Sequence, residues 1–452
     1  MELIDVILFP LYVLLFHLIF SWQRKRIKDP LLKQYHKQGF WIKVFGALCF
    51  SIFHGIISPG NDSISLYYNE GIHIAKLIVE DASNIHLIFS SGADFDQSLL
   101  FNPYNKGYFS SESNYLVVRL VAVFSFVCFR NYTVMNLVFS MISFSGVWQL
   151  YKFFYEQYPQ LHKKLAIAII YFPTFVFWSS GILKDPLCTG MLGWMTYSLY
   201  NVFCKRQSVF KNALIAITSG YLLAVLKSYI LFAYLPFFLT FLVFFNFKQI
   251  ETTGIKILAF AALLIILPVG VYIVSDKLEK ELGDFALSKL SESVKMQQTA
   301  FINMADAAES SFSLGVEFDG NNLSLLKMAP ASITATFFRP YLWESKKLST
   351  LLSSLESLVL MVFTLFVLLK AGPFYFIKFL FKDPMIMYCF LFSIVFALFV
   401  GTTTLNFGTL VRYKIPCMPF YLIALMLINE HRKKQKKEAA VVSSLLNINS
   451  AK

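Results

Sequence analysis

Runs of about 20 apolar residues recur from one end of this chain to the other, and they limit its fold more than any other feature. A bilayer's hydrocarbon is about 30 Å thick, so a helix needs roughly 20 residues to cross it. The runs are continuously apolar and lack the in–out alternation of a membrane barrel strand, so they predict helices. They fall at 3–22, 40–58, 132–151, 165–181, 187–203, 211–226, 230–246, 255–275, 349–369, 385–400 and 413–429. The expected fold class is all-α, a polytopic transmembrane helical bundle of about eleven spans. Composition agrees: 57% of the 452 residues are hydrophobic and 15% charged, against roughly 45–50% and 25% in soluble domains.

Charge sets the expected orientation, because cytoplasmic loops are enriched in Lys and Arg. Arg24, Lys25, Arg26, Lys28, Lys33 and Lys37 follow the first run, and Arg432, Lys433, Lys434, Lys436 and Lys437 follow the last. Both stretches are expected inside, as are Lys163–Lys164 and Lys205–Arg206. The acidic loop 59–114 is expected outside. The first run has its positive charges after it, the pattern of an anchor rather than a cleavable leader. The N-terminus is thus expected outside and the C-terminus inside. Five segments follow: an extra span with a basic loop (1–39), a core (40–275) carrying the outer loop 59–114, a second outer loop (276–347), the last spans (348–430) and a basic tail (431–452). Segment 115–129 is short and contains Arg119, so it suits an interfacial helix. The net charge of +13 is expected to anchor loops beside anionic membrane lipid, with no nucleic-acid partner. The six cysteines have no paired metal spacing and point to neither disulfides nor zinc.

Ionisable groups at a membrane face are costly and mark candidate sites. Asp62 follows Pro59-Gly60-Asn61 beyond the second run. Lys184 and Asp185 precede Pro186 in a tight turn. Lys227 ends the run 211–226, and Arg412 stands before the last run. The expected topology brings all of them to the outer face, with Arg339 in the aromatic stretch Phe337–Trp343. Each has a plainer use: Asp62 and Asp185 suit helix caps, Lys227 and Arg412 suit snorkelling to headgroups, and Arg339 suits an interfacial belt. Together they suit glycosyl transfer from a lipid-linked donor. Cations stabilise a leaving phosphate, one carboxylate takes the acceptor's proton, and a second can orient the acceptor or hold a divalent cation.

The same residues resemble the GT-C glycosyltransferase superfamily, which includes dolichyl-phosphate-mannose protein mannosyltransferases and bacterial lipid A aminoarabinose transferases. The resemblance lies in Asn61-Asp62 with Tyr67-Tyr68 and Ala75 in the first outer loop, Lys184-Asp185-Pro186 after a span, Leu226-Lys227 at a helix end and Arg412-Tyr413-Lys414-Ile415-Pro416 before the last helix. It covers roughly residues 40–240 and the last span. It implies an inverting transfer from a polyprenyl-phosphate-linked sugar to a lipid or glycan acceptor at the outer face of a bacterial inner membrane. Asp62 and Asp185 would be catalytic, Lys227, Arg412 and Arg339 would hold the donor phosphate, and Lys184, Tyr68 and Glu70 would contact the acceptor. The extra first span and the single acidic residue of Asn61-Asp62 depart from the family pattern. A lipid-linked polysaccharide polymerase or ligase would share the topology, and a non-catalytic subunit of a larger assembly needs none of this chemistry. A transporter or flippase needs ionisable groups midway through the membrane, for which the candidates are His54 and Glu356.

Overall fold

The structure is a computed structural model that describes residues 4–58, 61–247, 311–315, 322–345 and 348–450. Those residues are helical almost throughout, and an isolated Ser311–Asn406 bridge is their one β contact. Among them, six helices are long and apolar enough to cross a membrane, or seven if a pair bent by 63° counts as one span. This suits a membrane helical bundle. The run 255–275 and most of the loop 276–347 lie outside the described residues.

The chain divides into two compact units, Met1–Leu231 and Phe232–Lys452. In the first unit, α1 is Asp5–Lys25 and α2 is Pro30–Ile52, which widens into a π-helical turn at Phe53–Ile57. A second π-turn at Ser63–Tyr68 leads into α3, Asn69–Glu80, followed by the short α4, His86–Phe89. Then come α5 (Glu112–Val127), α6 (Tyr132–Gln157), α7 (His162–Ile169), α8 (Pro173–Trp178) and α9 (Lys184–Tyr200). The long α10, Val209–Phe247, runs on into the second unit.

Side-chain contacts fix the directions. Asn131 at the start of α6 donates to Asp5 at the start of α1 (2.5 Å), and Phe20 meets Phe144 further along both, so α1 and α6 are parallel. Helix α2 runs against them, pairing Tyr35 with Tyr151 near its start and Ser51 with Asn136 near its end. Small residues let α6 and α9 touch backbone to backbone. A Cβ on Gly146 would stand 1.8 Å from the Gly190 carbonyl oxygen, and one on Gly193 would stand 2.0 Å from that of Gly146.

The expected spans meet breaks with identifiable causes. Segment 165–181 is split between α7 and α8, because Pro173 pushes Phe172 into an extended conformation. The runs 211–226 and 230–246 are the two helical stretches of α10, separated by non-helical φ/ψ at Lys227 (−153°, 80°). A straight helix of its 39 residues would reach about 58 Å, nearly twice a hydrocarbon layer. Segment 115–129 forms α5, which has 16 residues and falls short of span length.

The second unit holds α11 (Asn322–Phe338), α12 (Leu348–Ala371), α13 (Pro373–Lys382), α14 (Pro384–Thr403), α15 (Phe407–Tyr413) and α16 (Met418–Ser450). Gly401 lets α14 lie against α11, where a Cβ would stand 2.1 Å from the Ser332 oxygen. Tyr234, Tyr388, Phe392 and Phe420 interlock as edge-on aromatic pairs in its core.

Candidate functional site

Asp62 stands exposed between the two π-turns that close α2 and open α3. Such turns are rare in soluble and membrane helices and recur at functional sites. Asn61 organises the connection: its amide donates to the carbonyls of Ser58 (2.7 Å) and His54 (3.2 Å), and its oxygen accepts from the Ser63 N–H (3.0 Å). The capping work expected of Asp62 is thus done by its neighbour, and the Asp62 side chain makes no cap hydrogen bond.

From Ser63 a chain of hydrogen bonds leads toward the Lys184-Asp185 turn. Ser63 and Tyr132 share one at 2.9 Å. Asn136, one turn along α6, donates to Ser51 (2.9 Å) and accepts from the Ile182 N–H (2.9 Å). Lys184 donates to Ser113 at the far end of the loop 59–114 (2.8 Å). Both ends of that loop are thereby fastened to the frame that carries Asp185.

Asp185 lies in the first turn of α9 and is buried, with 0% of its side chain exposed. Lys227, at the break in α10, is 6% exposed and donates to Asp185 Oδ1 at 2.5 Å. Two residues given separate roles from sequence therefore form one ion pair. The break serves the pair, because it lets a residue inside an apolar helix turn its ammonium toward a buried carboxylate. Charges out of water need such compensation.

The remaining sequence candidates have different surroundings. Tyr68 donates to the Arg130 carbonyl (2.6 Å) and packs edge-on against Tyr132. Glu70 is buried and pins the outer loop: its carboxylate accepts from the N–H groups of Phe101 (2.9 Å) and Asn102 (3.0 Å) and from the Asn105 amide (2.9 Å). Arg339 and Arg412 belong to the second unit. Arg339 pairs with Glu344, donates to the Ser313 carbonyl (2.9 Å) and lies 4.3 Å above the Phe312 ring. Arg412 is half-buried on α15, with its guanidinium 5.7 Å from the Tyr413 ring.

Two buried cations were passed over in the sequence. Lys43 donates to the Ser179 hydroxyl (2.7 Å), to the Ser179 carbonyl and to Ser143 (3.2 Å). Lys414 donates to Ser357 (3.0 Å) and to the Arg339 carbonyl (3.1 Å). The signal for Lys43 was present, since a lysine three residues inside the run 40–58 is an intramembrane charge in its own right. Among the described residues no group of three or more His, Cys, Asp or Glu side chains could hold a metal ion. Comparison of the chain with protein-family models, with curated proteins and with solved structures found no match. The GT-C resemblance therefore stands on the motifs quoted above.

Proposed function

We propose that the protein is a membrane glycosyltransferase that moves a sugar from a polyprenyl-phosphate or diphosphate donor to a cell-envelope acceptor, with inversion. The observation that carries this reading is the setting of Asp62. It is an exposed carboxylate between two π-turns, relieved of capping by Asn61 and built onto the frame that holds the Asp185–Lys227 pair. In the proposed reaction Asp62 accepts the proton of the acceptor hydroxyl or amine. The acceptor atom bonds to the anomeric carbon from the face opposite the phosphate. The bond from that carbon to the phosphate oxygen breaks, and the phosphate leaves with the electron pair. A donor phosphate drawing Lys227 from Asp185 would gain a cation and release a carboxylate in the same movement. A divalent cation is a candidate for further charge neutralisation, and Lys184, Tyr68 and Glu70 are candidates for shaping the acceptor side.

Asp62→Asn tests the reading, because it keeps shape and polarity but cannot take a proton. Sugar transfer by the purified chain should fall roughly 10²–10⁴-fold, the usual contribution of a positioned base. Normal transfer at matched protein level would remove Asp62 from the mechanism.

Transport is a second reading, favoured by Lys43, whose ammonium sits among hydroxyls and a carbonyl inside α2. Buried charges at broken helices also mark substrate paths. Lys43→Met abolishing substrate flux in liposomes while leaving sugar transfer intact would favour it.

A further inference from the structure

Helix α13 joins two helices of span length, α12 and α14. Gly372 turns the chain out of α12 with a φ of 76°, which glycine adopts without strain, and Asp383 caps α14 through the Met385 N–H (2.9 Å). The 10 residues of α13 reach about 15 Å, half a hydrocarbon layer, so the helix stays on one side of it. That side is the one with the basic tail. Phe379 stacks on His431 of α16 (5.5 Å), His431 pairs with Asp383 (2.8 Å), and Arg432, Lys433 and Lys434 follow it.

The residues of α13 fall into three rows. Phe376, Phe379 and Leu380 are buried, with Phe376 edge-on to Phe390 of α14 (5.3 Å). Phe374, Ile377 and Phe381 recur at intervals of three and four residues, so they share another face. They are 75%, 56% and 70% exposed. Lys378 and Lys382 are exposed too and border that apolar row, four and eight residues after Phe374. Among the described residues neither lysine pairs with a carboxylate, and the neighbouring Asp383 is engaged by His431. The apolar row calls for hydrocarbon, and the lysines beside it call for negative charge within reach of water. The headgroup boundary of an anionic leaflet supplies both.

We propose that α13 lies in the plane of the leaflet on the side of the basic tail, with Phe374, Ile377 and Phe381 among the acyl chains and Lys378 and Lys382 on the headgroups of anionic phospholipid. The inference is independent of the chemistry proposed for Asp62. The test puts a genetically encoded fluorescent residue in place of Ile377 in the full chain. The protein is reconstituted into nanodiscs of dioleoylphosphatidylcholine with a minor fraction of dioleoylphosphatidylglycerol. Brominating the acyl chains of one lipid at a time reports which lies beside the label. Both lipids should quench it, and phosphatidylglycerol should quench beyond its share of the bilayer. Lys378→Gln and Lys382→Gln should each lower that excess roughly 5-fold, the effect of one lysine at an anionic surface. Lys106→Gln, on the outer loop, should leave it unchanged. All these side chains are exposed, so each variant should fold. Quenching by aqueous iodide in place of either lipid would put the helix in water. Quenching by none of the three would mean that a partner protein or a second copy covers it. An excess that survives in both lysine variants, or falls equally in Lys106→Gln, would remove Lys378 and Lys382 from lipid selection. Each of these results overturns the proposal.

Discussion

A carboxylate with none of its surface exposed, 2.5 Å from an ammonium, is stable only while both partners are present. Removing one leaves an uncompensated buried charge and costs about 3–5 kcal/mol, whereas an apolar pair of similar volume is often neutral. Lys227→Met and Asp185→Leu should each lower the melting temperature in detergent, and the double variant should recover most of the loss without recovering sugar transfer. Recovery of transfer would make the pair purely structural. Both residues were legible as candidates because each charge interrupts or borders an apolar run. Their pairing was not, since 42 positions separate them and a lone helix run carries no record of what its charged end meets. Glu70 shows the same limit: its acidity was legible, but not the three donors that commit it to the outer loop. Asp29 offers a pH test. The Tyr155 hydroxyl, and then the Leu32 and Leu31 N–H groups, hold its carboxyl below the usual carboxylate range, against the opposing effect of burial. A carboxyl depressed on folding contributes stability above its unfolded pKa and loses it as pH falls through the folded value. Asp29→Asn should therefore be less stable than the wild type at neutral pH, and the gap should close under acid in melts across that range.

Helices announced themselves through apolar length, and their interruptions depended on chemistry of different visibility. Pro173 marks its break openly, and the break at Lys227 is marked by the charge that ends the run 211–226, although the ion pair it serves is not. The π-turns on either side of Asp62 leave no pattern in the residues that form them. Nor does the contact between α6 and α9, because glycines in a span read equally well as flexibility. Gly146→Ala tests that contact. The new methyl would meet the Gly190 carbonyl at 1.8 Å, and such overpacking costs about 1–3 kcal/mol or more. Gly55→Ala, with nothing within 4 Å of its added carbon, should be neutral or slightly stabilising. Equal melting temperatures for the two variants would mean that α6 and α9 separate freely.

For the molecule as a whole, the sequence showed an apolar helical chain, and its loop charges predict which ends face which side. Labelling with an impermeant maleimide, in a background lacking the native cysteines, tests that map. Tyr104→Cys is the better outer probe than a cysteine at Asn105, because Tyr104 is 97% exposed while Asn105 is buried against Glu70. It should label from outside intact cells and Gln207→Cys should not. Labelling at Gln207 would invert the map and move Asp62 to the other side. Lys43 bears on how such a chain is made. Its ammonium ties down Ser179 at the end of the six-residue α8, whose open carbonyls would be costly in lipid without a donor. The two residues are 136 positions apart, and the lysine is synthesised first. By the time the weak segment leaves the ribosome, the side chain that makes it tolerable in the bilayer has already been translated, so the order of synthesis matches the order in which the membrane needs the parts.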